Sequence, residues 1–223
     1  MTLHAPSENE VDLSVALRRL IVGKVVGDLR GGRTVSDLQF DQVYPPEIRR
    51  LSPTHWTPVE VAVRAGALLA PDESARVLDV GSGCGKFCSV AALSGLGRFI
   101  GVEQRPHLLA AAEMSAEELG ADRASFVPGN MADLDWSSFD AFYLFNPFFE
   151  NSSKSIRIDE TVSFGGGKFA RYVEVVRAKL DNAKAGTKVA TYHGFGGEMP
   201  AGYRRVKKEP MRSDFLELWV KRN

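Results

Sequence analysis

Arg76-Val77-Leu78-Asp79-Val80-Gly81-Ser82-Gly83-Cys84-Gly85-Lys86 decides how the whole chain is read. Apolar residues surround one carboxylate in its first half, and three glycines at alternate positions follow. Phe87-Cys88-Ser89-Val90-Ala91-Ala92-Leu93 then opens a helix. Strand, tight turn and helix N-terminus form the first unit of a nucleotide-binding α/β sheet. Glycine lets the backbone turn sharply and approach a ligand without a Cβ in the way. The free N–H groups of the helix's first turn face that ligand. Two common fingerprints do not fit. A dinucleotide turn needs G-x-G-x-x-G, but here the third glycine comes one residue early and Lys86 fills its place. A phosphate loop needs G-x-x-x-x-G-K-[ST], but Val80 stands at its first glycine and Phe87 at its hydroxyl.

The remaining pattern, D-x-G-x-G-x-G over Asp79 to Gly85, resembles motif I of the class I S-adenosylmethionine (SAM) methyltransferases. That resemblance implies a Rossmann-like α/β fold, with helices on both faces of a seven-stranded, mostly parallel sheet. Its strand order would be 3-2-1-4-5-7-6, with strand 7 antiparallel. SAM would be the cofactor and S-adenosylhomocysteine the product. Asp79 would lie near the methionine ammonium, and Gly81, Ser82, Gly83 and Gly85 would pack against the cofactor. The resemblance runs from about Thr57 to the end, which divides the chain into an N-terminal helical extension and loop (1–56) and a methyltransferase domain (57–223).

Downstream segments supply the other expected contacts. Arg98-Phe99-Ile100-Gly101-Val102-Glu103 reads as the second strand, and Glu103 falls 22 positions after Gly81. That is close to the roughly 20-residue spacing of a carboxylate that binds ribose hydroxyls. Gln104 would sit beside the adenine. Pro106 opens the next helix, which runs to Gly120. Ala124 to Pro128 is a third strand leading to Asn130-Met131, where many methyltransferases place an acid on the adenine amino group. Asn130 can accept that bond through its carbonyl, and Asp133 is the alternative. Phe139 to Phe145 is nearly all apolar, as a buried parallel strand should be. It delivers Asn146-Pro147-Phe148-Phe149 to the sheet's carboxyl edge. This stretch resembles the N-P-P-[YF] motif of amino-group methyltransferases, with Phe148 replacing the second proline. In that motif the Asn side chain and a backbone carbonyl near Pro147 accept hydrogen bonds from the target amine. Phe148 and Phe149 would contact the acceptor.

Leu13, Leu17, Ile21, Val25 and Leu29 recur at every fourth position, the stripe of an amphipathic helix ending at Gly31-Gly32. It reads either as a packing helix or as a lid or dimer element. Asp41 to Thr57 is loop-like, and Thr57-Pro58-Val59-Glu60 has the form of a capping box opening a helix that runs to Pro71. His55-Trp56-Thr57-Pro58 resembles the loop that closes over the cofactor in many class I enzymes. Trp56 and Thr57 would then contact the cofactor, though Trp56 reads equally well as a core anchor. Ser152 to Gly167 is a polar loop on the substrate side, followed by a helix carrying Phe169, Tyr172, Val173, Val176 and Leu180. Thr187 to His193 is the fifth strand, and His193 at its end would take the proton an acceptor loses. Tyr203 to Lys208 and Phe215 to Lys221 form a closing antiparallel pair. Arg204, Arg205, Lys207 and Lys208 on it read as a solvated edge rather than a nucleic-acid patch.

Composition narrows the classes. The 223 residues carry 28 basic and 28 acidic side chains, a balance that disfavours a general polyanion binder. Cys84 and Cys88 are neither a zinc set nor a probable disulfide spacing, and free thiols fit a reducing cytoplasm. No secretory leader or membrane-length apolar stretch is visible. The expectation is a cytoplasmic, metal-free SAM methyltransferase that modifies an amino nitrogen of a protein or small molecule. The rival readings are a noncatalytic SAM-binding or interaction protein, an RNA or oxygen methyltransferase, and a dehydrogenase.

Overall fold

The computed structural model describes residues 8–152 and 155–222, with side chains from Val15 onward. Seven strands form one sheet: β1 (Arg76–Val80), β2 (Arg98–Glu103), β3 (Ala124–Pro128), β4 (Ala141–Phe145), β5 (Lys188–Tyr192), β6 (Tyr203–Met211) and β7 (Asp214–Lys221). Their order is β3-β2-β1-β4-β5-β7-β6. The first five strands run parallel, and β7 is antiparallel to both β5 and β6. This is the order the glycine-turn resemblance implied.

Strand side chains alternate between faces, and that alternation divides the interior in two. Val77, Phe99, Ala141, Tyr143 and Ala190 face one core, while Leu78, Ile100, Phe142, Leu144 and Val189 face the other. The first core is covered by α1 (Glu8–Arg30), α5 (Val59–Leu69), α6 (Lys86–Ser94) and α7 (Pro106–Leu119). The second is covered by α8 (Lys168–Asp181). Asp79 shares the Val77 face, so its carboxylate lies beneath α6 and is buried.

Three local expectations are corrected. Among the described side chains of α1, Val22, Val25 and Leu29 are buried, whereas Leu17 is 58% exposed. Leu13 lies outside the residues whose side chains are described. Second, the loop expected over Asp41–Thr57 contains short helical turns. They include α3 (Pro46–Arg49) and α4 (Ser52–His55), preceded by α2 (Asp37–Phe40). Phe40, Val43, Tyr44 and Ile48 from this segment enter the first core. Third, Thr57 does not cap α5. Its hydroxyl meets the Tyr143 hydroxyl at 3.2 Å, and the Val59 N–H donates instead to Asp37 Oδ1 at 2.8 Å. A cap contributed from 22 residues away gives no local sequence signal.

Candidate active site

The carboxyl ends of β1, β2 and β3 open into a cavity of about 1000 Å³ including its mouth. Gly81 and Gly83 form its floor, Glu103 and Gln104 one wall, and Asn130 and Met131 another. Three glycines turn with left-handed φ (Gly81 77°, Gly83 55°, Gly85 75°), which only glycine adopts cheaply. Their surroundings differ. A Cβ on Gly81 would meet only Pro147 at 3.4 Å, leaving its Cα open to the cavity. A Cβ on Gly83 would strike the Trp56 ring at 2.4 Å, and one on Gly85 would strike Phe126 and Ala112. Gly85 is therefore required by packing beneath the turn and does not line the cavity, contrary to its sequence assignment.

Trp56 anchors the core and also reaches the cavity. It is buried, its indole N–H donates to the Ile48 carbonyl at 3.0 Å, and its ring lines the cavity. Glu103 also has two roles within reach. One carboxylate oxygen accepts the Gly83 N–H at 3.0 Å and the other the Arg105 N–H at 2.8 Å. It thus holds the glycine turn in place while facing the cavity, and burial raises its pKa. Asn130 donates to the Tyr172 hydroxyl at 2.8 Å and accepts the Ala132 N–H at 3.0 Å, so its amide is already oriented by protein partners.

A second cavity, about 1570 Å³ including its mouth, lies beyond the ends of β4 and β5. Thr54, Trp56, Phe145, Asn146 and Phe149 line both cavities and form the partition between them. His193 and Ser213 line the second cavity only. The parallel register pairs Phe145 with Tyr192, which places Asn146 and His193 side by side at the sheet edge. The Asn146 N–H donates to the Gly194 carbonyl at 2.9 Å. Among the described residues, the non-glycine positions with left-handed φ are Asn146 (41°), His193 (57°) and Arg212 (48°). All three line this cavity. Such backbone outliers cost about 1–3 kcal/mol each and collect where function requires a particular geometry. Phe149 is 41% exposed on the partition, but Phe148 is buried against Tyr172 and faces the first cavity. Of the two phenylalanines assigned to the acceptor, the structure presents only Phe149 to the second cavity.

A family model described as a methyltransferase domain matches residues 71–192. The chain belongs to that family. With its sheet order it is a class I SAM-dependent methyltransferase. No curated protein matches it in sequence. Among solved structures it resembles an RNA methyltransferase from Salinibacter ruber in complex with S-adenosyl-L-homocysteine. That match has a TM-score of 0.55 and 21% identity, covering 75% of this chain and 94% of that one. TrmN from Thermus thermophilus matches with a TM-score of 0.56 and 18% identity, over 78% of this chain and 52% of that one. A variant of MtNAS in complex with S-adenosylmethionine matches at 0.53 and 15%, over 96% of this chain and 75% of that one. At these identities the likeness is one of fold.

The methyltransferase's buried charges fit a cofactor bearing an ammonium and a ribose. Asp79 lines a small recess with Thr57, Ser82 and His55. Burial raises its pKa to about 7, and its polar partner is the Cys88 thiol, 3.6 Å away. No cation among the described residues pairs with it, so a ligand ammonium would supply what the fold omits. The His55 Nε2 and Ser82 Oγ atoms in this recess are buried without partners. Desolvation also lowers the His55 pKa.

Sequence reasoning missed the ion pairs that assemble these walls. Lys86 is 2% exposed, and its ammonium lies 2.8 Å from Asp37 and 2.7 Å from Asp41. Asp37 also pairs with Arg212, joining the N-terminal segment, glycine turn and β6–β7 hairpin. Arg105 pairs with Glu150 at 2.9 Å and Asp159 at 3.2 Å. These pairs bring Ile158 and Phe164 of the polar loop against the first cavity. The partners are distant in sequence, and in its own neighbourhood Lys86 marks only a departure from a glycine pattern.

Proposed function

We propose that this methyltransferase transfers the methyl group of SAM to an amino nitrogen presented in the second cavity. The partition carries the reading, because Asn146 lies between a nucleoside-sized cavity and a second, mostly apolar one. Glu103 would bind the ribose hydroxyls, Asp79 the methionine ammonium, and Gly81, Ser82 and Gly83 the methionyl and ribose region. Gln104, Asn130 and Met131 would surround the adenine, with Trp56 and Thr57 closing over the methionyl end. SAM supplies an electrophilic methyl group on a sulfonium. The protein's task is to aim a lone pair at it and remove a proton, with near-attack positioning supplying much of the acceleration.

Asn146 Oδ1 and a backbone carbonyl near Pro147 would accept two N–H bonds and fix the direction of the lone pair. Phe149 would pack against the acceptor's apolar part, and His193 would take its proton. The basic edge does not favour a nucleic-acid acceptor. Arg205 and Lys208 both pair with Glu217, and Lys207 pairs with Glu209. Among the described residues no helix is long and apolar enough to cross a membrane, and Cys84 and Cys88 are free and buried. Free thiols support a cytoplasmic setting.

Methyl transfer from radiolabelled SAM into extract fractions of protein, nucleic acid and metabolites tests the reading. Asn146→Ala should lower transfer at least about tenfold with SAM affinity little changed, the pattern of a residue that positions the transition state. Loss of SAM binding in that variant, with turnover following occupancy, would assign Asn146 to the cofactor and remove the amine reading's main support.

A further inference from the structure

His193 does not stand alone. Its Nδ1 lies 2.9 Å from Asp214 Oδ2, and its Nε2 lies 3.2 Å from Ser213 Oγ. Ser213 Oγ is in turn 3.1 Å from the Tyr192 hydroxyl, which donates to the Met211 carbonyl at 3.2 Å. Ser213 and Asp214 sit where the β6–β7 hairpin turns, and Arg212 beside them has left-handed φ and is tied to Asp37 and Glu60. The hairpin tip is thus fastened to the N-terminal segment on one side and to the imidazole on the other.

Electrostatics selects one tautomer. A lone pair on Nδ1 would face a carboxylate oxygen at 2.9 Å, two acceptors with no proton between them. With the proton on Nδ1, the imidazole donates to Asp214, and Nε2 keeps a lone pair that accepts from the Ser213 hydroxyl. With the Tyr192 proton on the Met211 carbonyl, the Ser213 proton has two acceptors within reach, the Tyr192 oxygen and Nε2, and the second joins serine to imidazole. The imidazole then bridges the Asp214 carboxylate on Nδ1 and the Ser213 hydroxyl on Nε2, and His193 and Ser213 line the second cavity.

We propose that Asp214 is a positioning residue that holds His193 as a base, and that Ser213 relays the acceptor's proton to it. The inference rests on the amine-acceptor reading above. An N–H bond of the acceptor ammonium breaks, and its electron pair remains on nitrogen as the nucleophilic lone pair. The proton goes to Ser213 Oγ as the serine's own proton passes to Nε2. The resulting imidazolium is paired with Asp214 and releases its proton to water, restoring the starting state. No oxidant, metal or further reactant is needed.

The full-length protein, labelled with ¹⁵N at histidine, tests the proposal without SAM or acceptor. Long-range ¹H–¹⁵N spectra should show His193 in the Nδ1–H tautomer, and Asp214→Asn should populate the Nε2–H form. Tritiated methyl transfer from SAM into a fixed cell-extract pool should fall at least about tenfold in Asp214→Asn, with SAM affinity unchanged. Asp214→Glu should recover most of that loss. An Nε2–H tautomer in the unmodified protein, or full transfer by Asp214→Asn, overturns the proposal. Failure of the amine reading would show separately, as undiminished transfer by Asn146→Ala.

Discussion

With the methionine ammonium against Asp79, as proposed above, SAM binding should depend on pH. The Asp79 pKa stands at about 7 in the free protein because burial disfavours the charged carboxylate. A ligand ammonium favours that charge and lowers the pKa, so binding releases a proton wherever Asp79 was protonated. Affinity should therefore fall roughly tenfold as pH drops from about 7.5 to about 6. Calorimetry in buffers of different ionisation heat should detect the released proton. Asp79→Asn should bind more weakly and lose this pH dependence, and a dependence that survives would assign it to another group. Glu103 gives a second test at the same scale. Glu103→Ala removes a hydrogen-bonded carboxylate, a loss of about 1.5–3 kcal/mol, or roughly tenfold to a hundredfold in SAM affinity. Unchanged affinity in a folded variant would end the ribose assignment.

At the level of elements, the buried ammonium of Lys86 joins the first turn of α6 to α2 and the turn after it. Removing one partner of a buried pair leaves the others desolvated and uncompensated, at about 3–5 kcal/mol. Lys86→Met should lose about that much stability in urea denaturation at neutral pH, because Asp41 is left without a cation while Asp37 keeps Arg212 and the Val59 N–H. Adding Asp41→Asn should recover part of the loss, since the orphaned charge is then gone. Equal stability of Lys86→Met and the parent would mean that Asp41 finds another partner. The same junction explains why Thr57 does not cap α5. Thr57-Pro58-Val59-Glu60 has the right residues, but the Thr57 hydroxyl is drawn to Tyr143 and Asp37 takes the helix's first N–H.

For the whole molecule, the N-terminal segment decides whether the second cavity exists. Phe40, Val43, Tyr44, Ile48 and Trp56 are buried in the core shared with α5, α6 and α7, and Asp37, Asp41 and Arg49 line the second cavity. A fragment of residues 57–223 would expose that core. Deleting a single large core side chain already costs about 2–5 kcal/mol against a typical total stability of about 5–15. The fragment should show no cooperative thermal transition and no near-ultraviolet circular dichroism. A fragment that melts cooperatively and binds SAM would show the segment to be a separable extension. In the intact chain, SAM at about a hundred times its Kd should add about 2.7 kcal/mol of stability, and NAD none.

The sequence by itself determined the sheet. Strand alternation, the alternate glycines and the spacing of Glu103 are local patterns, and local patterns survive in a one-dimensional reading. The same holds for Asn146 at the end of an apolar strand, because a strand's length and direction place its last residue. Only the tertiary structure decided which glycine faces the cavity, since Gly81, Gly83 and Gly85 differ in what packs beneath them and not in their own chemistry. It also decided that Phe149 rather than Phe148 reaches the second cavity, and that Asp214 stands behind His193. Charges and rings pair through space between segments 20 to 175 residues apart, as Gly83 with Glu103 and Asp37 with Arg212 do. Neither partner carries a mark of the other in its own neighbourhood, so such contacts exist only once the chain has folded.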